Sequence, residues 1–219
     1  MSDARGKILQ AARAASPQRA TDAAIQAKAD ALCRRAGATR PDRISGSPDT
    51  VFIERLNTPG IAATAEHAAT LEDFPAAVRR YLAANNLVPS LALQPHPELL
   101  ALDWSGLDTH GHIGLDEPVA VGLALGGIAE TGSLVFHSNP TSPTLFAFLP
   151  LHHIVAVRAE HIWPWLEDYA AALTTMSSPR NINLVTGASG TTDIEGTLVR
   201  GAHGPGWLHV VLIGAQPAT

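Results

Sequence analysis

The chain has 219 residues, of which 15 are basic and 20 are acidic, and lysine occurs only at Lys7 and Lys28. This mildly acidic balance, without a block of basic residues, argues against nucleic-acid binding. No apolar run approaches the roughly 20 residues needed to cross a bilayer, and the polar N-terminus lacks the apolar core of a signal peptide. We therefore expect a cytoplasmic protein without a membrane span.

The single cysteine, Cys33, limits the redox chemistry of the chain. It excludes an internal disulfide and any cysteine-ligated iron–sulfur cluster within the monomer, because such clusters need several thiolates at one site. Since Cys33 lies in an alanine-rich segment, we interpret it as a small packed residue. The sequence predicts no bound cofactor.

Two N-terminal segments, residues 2–15 and 21–36, are predicted to form helices. The second carries only Ile25 and Leu32 as large apolar residues, which is too little apolar surface for an independent core. We expect these helices to pack on the main body or on another subunit, so self-association stays open. The predicted domains are an N-terminal helical extension, residues 1–49, and an α/β domain, residues 50–219.

Strand and helix patterns alternate beyond residue 50. Helices are predicted at 51–57, 71–84, 97–102 and 160–174, with a helical turn at 144–149. Strands are predicted at 61–67, 90–94, 127–130, 133–137 and 152–157, and a tight turn or bulge is predicted at Thr131-Gly132. This alternation favours an open, mainly parallel α/β sheet flanked by helices.

A loop is predicted over residues 103–118, and it contains His110 and His112. Two histidines separated by one residue could share a metal ion if both lay on one side of a strand. A third ligand is not evident beyond Asp108 or Asp116. We therefore favour surface-loop histidines over a metal site, and no metal is predicted.

Residues 183–214 contain two glycine-rich loops within one predicted αβ unit. A buried strand at 182–185 precedes a small-residue loop at 186–192, a short helix at about 192–198, a second loop at 200–206 and a final strand at 208–213. A loop of Gly, Ser and Thr that opens a helix can bind an anion through backbone N–H groups. The alternative is that these glycines only form turns.

Several motifs together resemble the LUD-domain family. They are residues 127–133 (GIAETGS), the segments 144–150 and 153–155, residues 189–195 (SGTTDIE), residues 201–205 (GAHGP) and residues 208–210. The resemblance covers roughly residues 50–213. It implies a fold similar to the sugar-phosphate isomerase and CoA-transferase superfamily, in which ligands lie outside the carboxyl ends of strands.

The resemblance also implies a role similar to that of one component of a three-protein system that oxidises L-lactate to pyruvate. The partners in such a system carry the iron–sulfur clusters, in agreement with the lone cysteine here. We therefore expect a non-redox component that binds a small carboxylate or its partner subunits. Whether it is itself an enzyme stays open.

The strand-end rule is expected to bring the two motif loops and the loop around His203 to one rim of the sheet. Glu130 is the candidate general acid or base, or a group that orients a substrate hydroxyl, and His203 is a candidate proton carrier. The remaining candidates, which bind a ligand, cap a helix or form a polar network, are Thr131, Gly132, Ser133, Ser189, Gly190, Thr191, Thr192, Asp193, Glu195 and Gly204.

The alternative is a stand-alone enzyme that acts on a phosphorylated or CoA-linked metabolite, by analogy with the superfamily fold. Such sites usually contain lysine or arginine. Near the motifs, the sequence offers only Arg158, Arg180 and Arg200, which disfavours this alternative.

Overall fold

The computed structural model describes residues 4–15, 21–34, 44–192 and 198–214. The chain divides into two compact units, Met1–Pro41 and Asp42–Thr219. The first unit contains helices α1 (Ala4–Ala15) and α2 (Asp22–Cys33), which confirms both predicted N-terminal helices. The Thr21 hydroxyl accepts the N–H of Ala24 and caps α2. The predicted division of the chain at residues 49 and 50 stays a prediction.

The second unit is built on a six-stranded sheet whose strand pairs are all parallel, hereafter the main sheet. Its spatial order is β1, β12, β7, β4, β2 and β3. The strands are β1 (Ala63–Ala68), β2 (Ser90–Leu93), β3 (Asp108–His110), β4 (Val119–Leu123), β7 (His152–Arg158) and β12 (Trp207–Ile213). An open, mainly parallel α/β sheet is therefore confirmed.

One face of the main sheet packs against α4 (Phe74–Ala84). A 3₁₀ turn, Leu71–Asp73, precedes this helix, and Thr70 and Asp73 cap the 3₁₀ turn reciprocally. Apolar residues of α4 at helical spacing meet alternate residues of the central strands, such as Ile154 and Val211. A further short helix, α5 (Pro97–Leu100), follows β2.

The opposite face packs against α3 (Pro48–Leu56) and a second, four-stranded sheet. This sheet has the order β8, β5, β6 and β9, and it mixes parallel and antiparallel pairs. Its strands are β5 (Gly126–Ile128), β6 (Ser133–His137), β8 (Ile162–Trp163) and β9 (Ile182–Val185). Val155 and Val210 face this side because side chains alternate along a strand.

Four predicted segments differ from the structure. Residues 160–174 were expected to form one helix, but β8 interrupts the segment and α6 spans only Leu166–Leu173. The proline and tryptophan between them, Pro164-Trp165, favour an extended entry to the helix. The loop predicted over 103–118 contains the short edge strand β3. Strand β9 is confirmed, but it is half exposed at the edge of the second sheet and not buried.

The helix predicted at about 192–198 is wrong at both of its ends. Gly190–Thr192 forms β10 and Leu198–Arg200 forms β11, and the two strands pair antiparallel as a hairpin. Neighbouring β-branched residues, such as Thr191 opposite Val199, favour this extended pairing. Among the described residues, no helix is long and apolar enough to span a membrane.

Candidate functional site

A cleft of about 140 Å³ lies where β2, β4 and β7 end, at the carboxyl edge of the main sheet. We call it the carboxyl-edge cleft. Open parallel sheets bind ligands in this position. The cleft is lined by Gln94, His96, Glu98, Leu123, Ala124, Leu125, His137, Asn139, Ser142, Arg158 and His161.

Gln94 fixes one wall of the cleft. Its side chain is 1% exposed. The Oε1 atom accepts the backbone N–H of Leu123 at 2.9 Å, and Nε2 donates to the carbonyl of Thr141 at 3.0 Å. Because both ends of the amide are bonded, Gln94 ties the end of β4 to the loop after β6 and acts as a rigid support.

Arg158 and Glu98 supply the opposite charges in the cleft. Arg158 is the last residue of β7, and its guanidinium forms an ion pair with the Glu98 carboxylate. Both residues also line a neighbouring cleft of about 360 Å³, together with Thr70 and Gly214. The arginine therefore lies between two cavities, with its charge available to either.

His137 and Tyr169 form a hydrogen bond at a third side of the carboxyl-edge cleft. The distance from His137 Nε2 to the Tyr169 hydroxyl is 2.7 Å. Burial lowers the pKa of His137 and raises the pKa of Tyr169, so both groups are neutral at neutral pH and the tautomer of His137 decides which of them donates. His137 and Asn139 also border a larger cleft of about 700 Å³ that contains Arg180.

His96 contributes a buried ring nitrogen to the lining of the carboxyl-edge cleft. Its Nδ1 atom is buried and has no hydrogen-bond partner within the described part of the chain. A buried polar atom of this kind is costly unless it is satisfied. His96 is therefore a candidate contact for a polar ligand in the carboxyl-edge cleft.

The predicted residues Thr131 and Ser133 form a chain of hydroxyl groups with Thr186. Ser133 Oγ lies 2.6 Å from both Thr131 Oγ1 and Thr186 Oγ1. The half-buried Glu130 occupies the tight turn between β5 and β6, and its N–H donates to the carbonyl of Pro164. Gly132 has a φ of +68°, as the turn requires.

The predicted Ser189 and His203 loops meet each other. The Ser189 N–H donates to the carbonyl of Pro205 at 2.7 Å, and a β-carbon at Gly204 would lie 3.3 Å from Ser189 Cβ. His203 itself is exposed. Gly190, Thr191 and Thr192 form β10, whereas Asp193 and Glu195 lie outside the described residues.

These loops were expected at the carboxyl edge of the main sheet, but they lie at its amino edge. The Ala188 N–H donates to the carbonyl of Ile61, which precedes β1. The Ser189 partner Pro205 likewise precedes β12. A β-carbon at Gly132 would lie 3.1 Å from Ile61 Cδ1, so the Glu130 turn also approaches this edge. The motif loops are near one another but far along the strands from the carboxyl-edge cleft.

The cleft residues were missed although the sequence carried a signal for them. Gln94 and His96 lie at or just beyond the end of a predicted strand, and Arg158 directly follows another. Residues in that position meet at the carboxyl edge whenever the strands are parallel. Applying the rule to strand ends, instead of to glycine-rich motifs, would have selected them.

His110 and His112 do contact each other. His110 Nδ1 lies 3.0 Å from the carbonyl of His112, and its Nε2 lies 3.5 Å from Glu117 Oε1. In the described parts of the chain, no three His, Cys, Asp or Glu residues are grouped so that they could hold a metal ion.

Residues 117–213 match the model of the LUD domain. This part of the chain is similar to the LUD domain. It contains the motifs around Glu130 and Ser189 and all main-sheet strands from β4 onward. The resemblance to the LUD-domain family is thus confirmed.

Several curated proteins that are similar to this chain are named lactate utilization protein C. The chain is 26% identical over 119 residues to the one from an Exiguobacterium species, a match covering 51% of this chain and 52% of that protein. It is 29% identical over 173 residues to the one from Deinococcus radiodurans, covering 74% and 78% respectively. The chain spans about half the length of several curated relatives that it matches.

A solved structure also resembles the chain. A DUF162 family protein from Deinococcus radiodurans superposes with a TM-score of 0.53 at 19% identity, covering 78% of this chain and all of that one. At this level of identity the likeness supports the fold.

Proposed function

We propose that the chain is a non-redox component of lactate utilisation that binds a small carboxylate in the carboxyl-edge cleft and associates with iron–sulfur partner subunits. The names of the relatives support the lactate role. The single cysteine in the sequence supports placing the clusters on partner subunits.

The proposal for the ligand depends mainly on the position of Arg158 in the carboxyl-edge cleft. A guanidinium binds a carboxylate through two parallel N–H donors, which a small hydroxy or keto acid can accept. A cavity of about 150 Å³ holds a ligand of the size of benzene, and lactate and pyruvate are of similar size. The volume of about 140 Å³ therefore suits such an acid.

Neighbouring groups of the cleft fit the remaining parts of the ligand. In the proposal, His96 Nδ1 contacts its hydroxyl or keto oxygen, because this buried nitrogen has no partner within the described residues. The bound carboxylate competes with Glu98 for Arg158, since the two carboxylates need the same N–H donors. Affinity is consequently modest and falls with rising salt.

A thermal-shift titration tests the ligand. L-lactate and pyruvate should raise the melting temperature of the wild type, since a ligand that binds only the native state stabilises it by about 2.7 kcal/mol at one hundred times its Kd. Arg158→Gln should lose this shift. The control Arg200→Gln, on β11, should keep it. A lactate shift that survives in Arg158→Gln would refute this site.

A second candidate function is an enzyme for a phosphorylated or CoA-linked metabolite. Arg180 in the larger cleft of about 700 Å³ favours it. Sugar phosphates and CoA belong in the same titration, with Arg180→Gln as the variant. A shift with these compounds, lost in Arg180→Gln and absent with lactate, would replace the first proposal by the second.

The partner role has its own test. Affinity purification of the tagged chain from its source cells should bring down cysteine-rich proteins with iron–sulfur absorbance. Absence of such proteins would contradict the partner proposal while leaving the ligand site untouched.

Catalytic roles for Glu130 and His203 stay predictions. Glu130→Gln belongs in the ligand titration and in a lactate-growth assay, because the amide keeps the shape of the side chain but cannot exchange a proton at neutral pH. A loss of lactate growth with unchanged ligand binding would support a catalytic Glu130. Unchanged growth would exclude one.

A further inference from the structure

A hydroxyl, an imidazole and a carboxylate line up on the face of the main sheet that carries α4. Thr64 and Glu66 are two residues apart on β1, so their side chains share one face. His209 on β12 is the register partner of Thr64. Thr64 Oγ1 lies 2.8 Å from His209 Nδ1, and His209 Nε2 lies 3.3 Å from Glu66 Oε1. The parallel register of β1 and β12 therefore places these three side chains in line.

Two side chains of α4 hold the imidazole and the carboxylate in place. The ring of Tyr81 stacks on the ring of His209 with centroids 4.6 Å apart. Arg80 binds Glu66 Oε2 at 3.0 Å, which leaves Oε1 facing His209. With Oε1 as acceptor, the proton of His209 lies on Nε2, and Nδ1 is free to accept the proton of Thr64.

Burial keeps His209 neutral. It lowers the pKa of this imidazole, and the neighbouring carboxylate of Glu66 only partly opposes the effect. The other titratable groups around His209 are Arg80, which also lowers its pKa, and the Tyr81 phenol, whose hydroxyl bonds His152 Nδ1 at 2.9 Å. A neutral imidazole is the form that accepts a proton.

All three groups of the alignment line one groove, with a volume of about 350 Å³. The Thr64 side chain is exposed there. Arg80, which is 59% exposed, brings positive charge to the groove, and Trp207, which is 41% exposed, brings an aromatic surface. These features fit a small molecule with an apolar or aromatic part next to a polarised carbonyl.

We propose that Thr64, His209 and Glu66 form a nucleophile, base and positioning carboxylate that cleave small carboxylic esters in this groove. The arrangement of roles is that of a hydroxyl, imidazole and carboxylate triad. This activity is separate from the carboxyl-edge cleft and does not depend on the proposed lactate role.

The reaction has two balanced steps. Thr64 Oγ1 forms a bond to the acyl carbon while its proton passes to His209 Nδ1. The bond from the acyl carbon to the alcohol oxygen then breaks, and the departing alcohol takes that proton. In the second step a water molecule attacks the acyl group, gives a proton to His209, and releases the acid as Thr64 regains its hydrogen.

p-Nitrophenyl acetate is a suitable probe, because it carries an aromatic leaving group of visible colour. Wild-type protein should release p-nitrophenol, and peptide mass spectrometry of quenched samples should locate an acetyl group on Thr64. Thr64→Ser should keep the reaction, whereas Thr64→Val should abolish it. Thr109→Val is the matched control, since Thr109 is an exposed threonine on the other edge strand, β3.

His209→Gln should slow acetylation about a hundredfold or more, the usual contribution of a general base. Glu66→Gln should slow it less and move the midpoint of the rate against pH to a lower value, since the carboxylate raises the pKa of His209. Circular dichroism checks that each variant is folded. Two results would overturn the proposal. One is that Thr64 is acetylated no faster than Thr109. The other is that acetylation of Thr64 is undiminished in a folded His209→Gln variant.

Discussion

Acidification should destabilise the protein strongly through His153. This imidazole is 1% exposed in the layer between the two sheets and stacks on Phe136 with ring centroids 5.8 Å apart. Neither ring nitrogen has a hydrogen-bond partner within the described residues. Burial lowers the pKa of His153 from 6.5 to about 3, because the charged form has no compensating contact there.

The sign of the effect follows from proton binding. Between the folded pKa and the unfolded pKa, the unfolded chain holds a proton that the folded chain does not. The stability from neutral His153 is therefore complete above the unfolded pKa and is lost as the pH falls towards the folded pKa. From pH 7 to pH 5 this single group lowers the free energy of unfolding by about 2 kcal/mol.

Urea unfolding followed by tryptophan fluorescence at pH 7 and pH 5 measures this loss. Wild type should lose about 2 kcal/mol more than His153→Leu, which removes the titrating group. His153→Gln should match leucine in its pH dependence even if it packs differently. Lowered pKa values at His137, His152 and His209 act in the same direction and remain in all variants. Parallel pH profiles for wild type and both variants would refute the reasoning.

Two further predictions concern packing. Gly187→Ala should lower the free energy of unfolding by at least about 2 kcal/mol, because φ is +81° and the new β-carbon would overlap the carbonyl of Ile61. In the control Gly111→Ala, the new β-carbon meets open space, so the free energy of unfolding should change by less than about 0.5 kcal/mol. Phe52→Ala should cost about 3–5 kcal/mol, because the ring is fully buried. Urea midpoints measure both, and equal costs for the two glycines, or a tolerated Phe52→Ala, would contradict them.

Four main-sheet strands, β1, β2, β7 and β12, could be predicted because their side chains alternate or form continuous apolar runs, whereas β3 and β4 were not predicted. Both faces of β7 and β12 are covered, and runs such as residues 208–213 are typical of buried parallel strands. The helix α4 could be predicted from the spacing of Phe74, Val78 and Leu82. In these segments, local pattern and tertiary packing favour the same structure.

The segment around residues 192–198 shows where local signals fail. Thr192 preceded an apparent helix start, but Thr191 and Val199 pair across a hairpin instead. A threonine hydroxyl can cap a helix or point from a strand, and only the partner strand decides between these two structures. Helix capping signals are therefore weak wherever β-branched residues flank both ends of a short segment.

The candidate site depended on knowing which edge of the sheet each loop occupies. The His203 loop precedes the final strand, so a parallel sheet places it at the amino edge. The Thr64, His209 and Glu66 alignment could not be predicted, because it needs β1 and β12 to be neighbours. These strands lie far apart in sequence, and single-sequence patterns do not report such pairing.

The position of β12 between β1 and β7 has a consequence for biosynthesis. Ala63 pairs with Leu208 and Trp207 pairs with His152, so β12 bridges two strands that were made much earlier. During translation, β1 has no neighbour among the described strands of the sheet until β12 leaves the ribosome. Such long-range pairing slows folding and leaves an unpaired strand edge exposed in the nascent chain. A truncation before Trp207 would leave β1 and β7 without the strand that joins them.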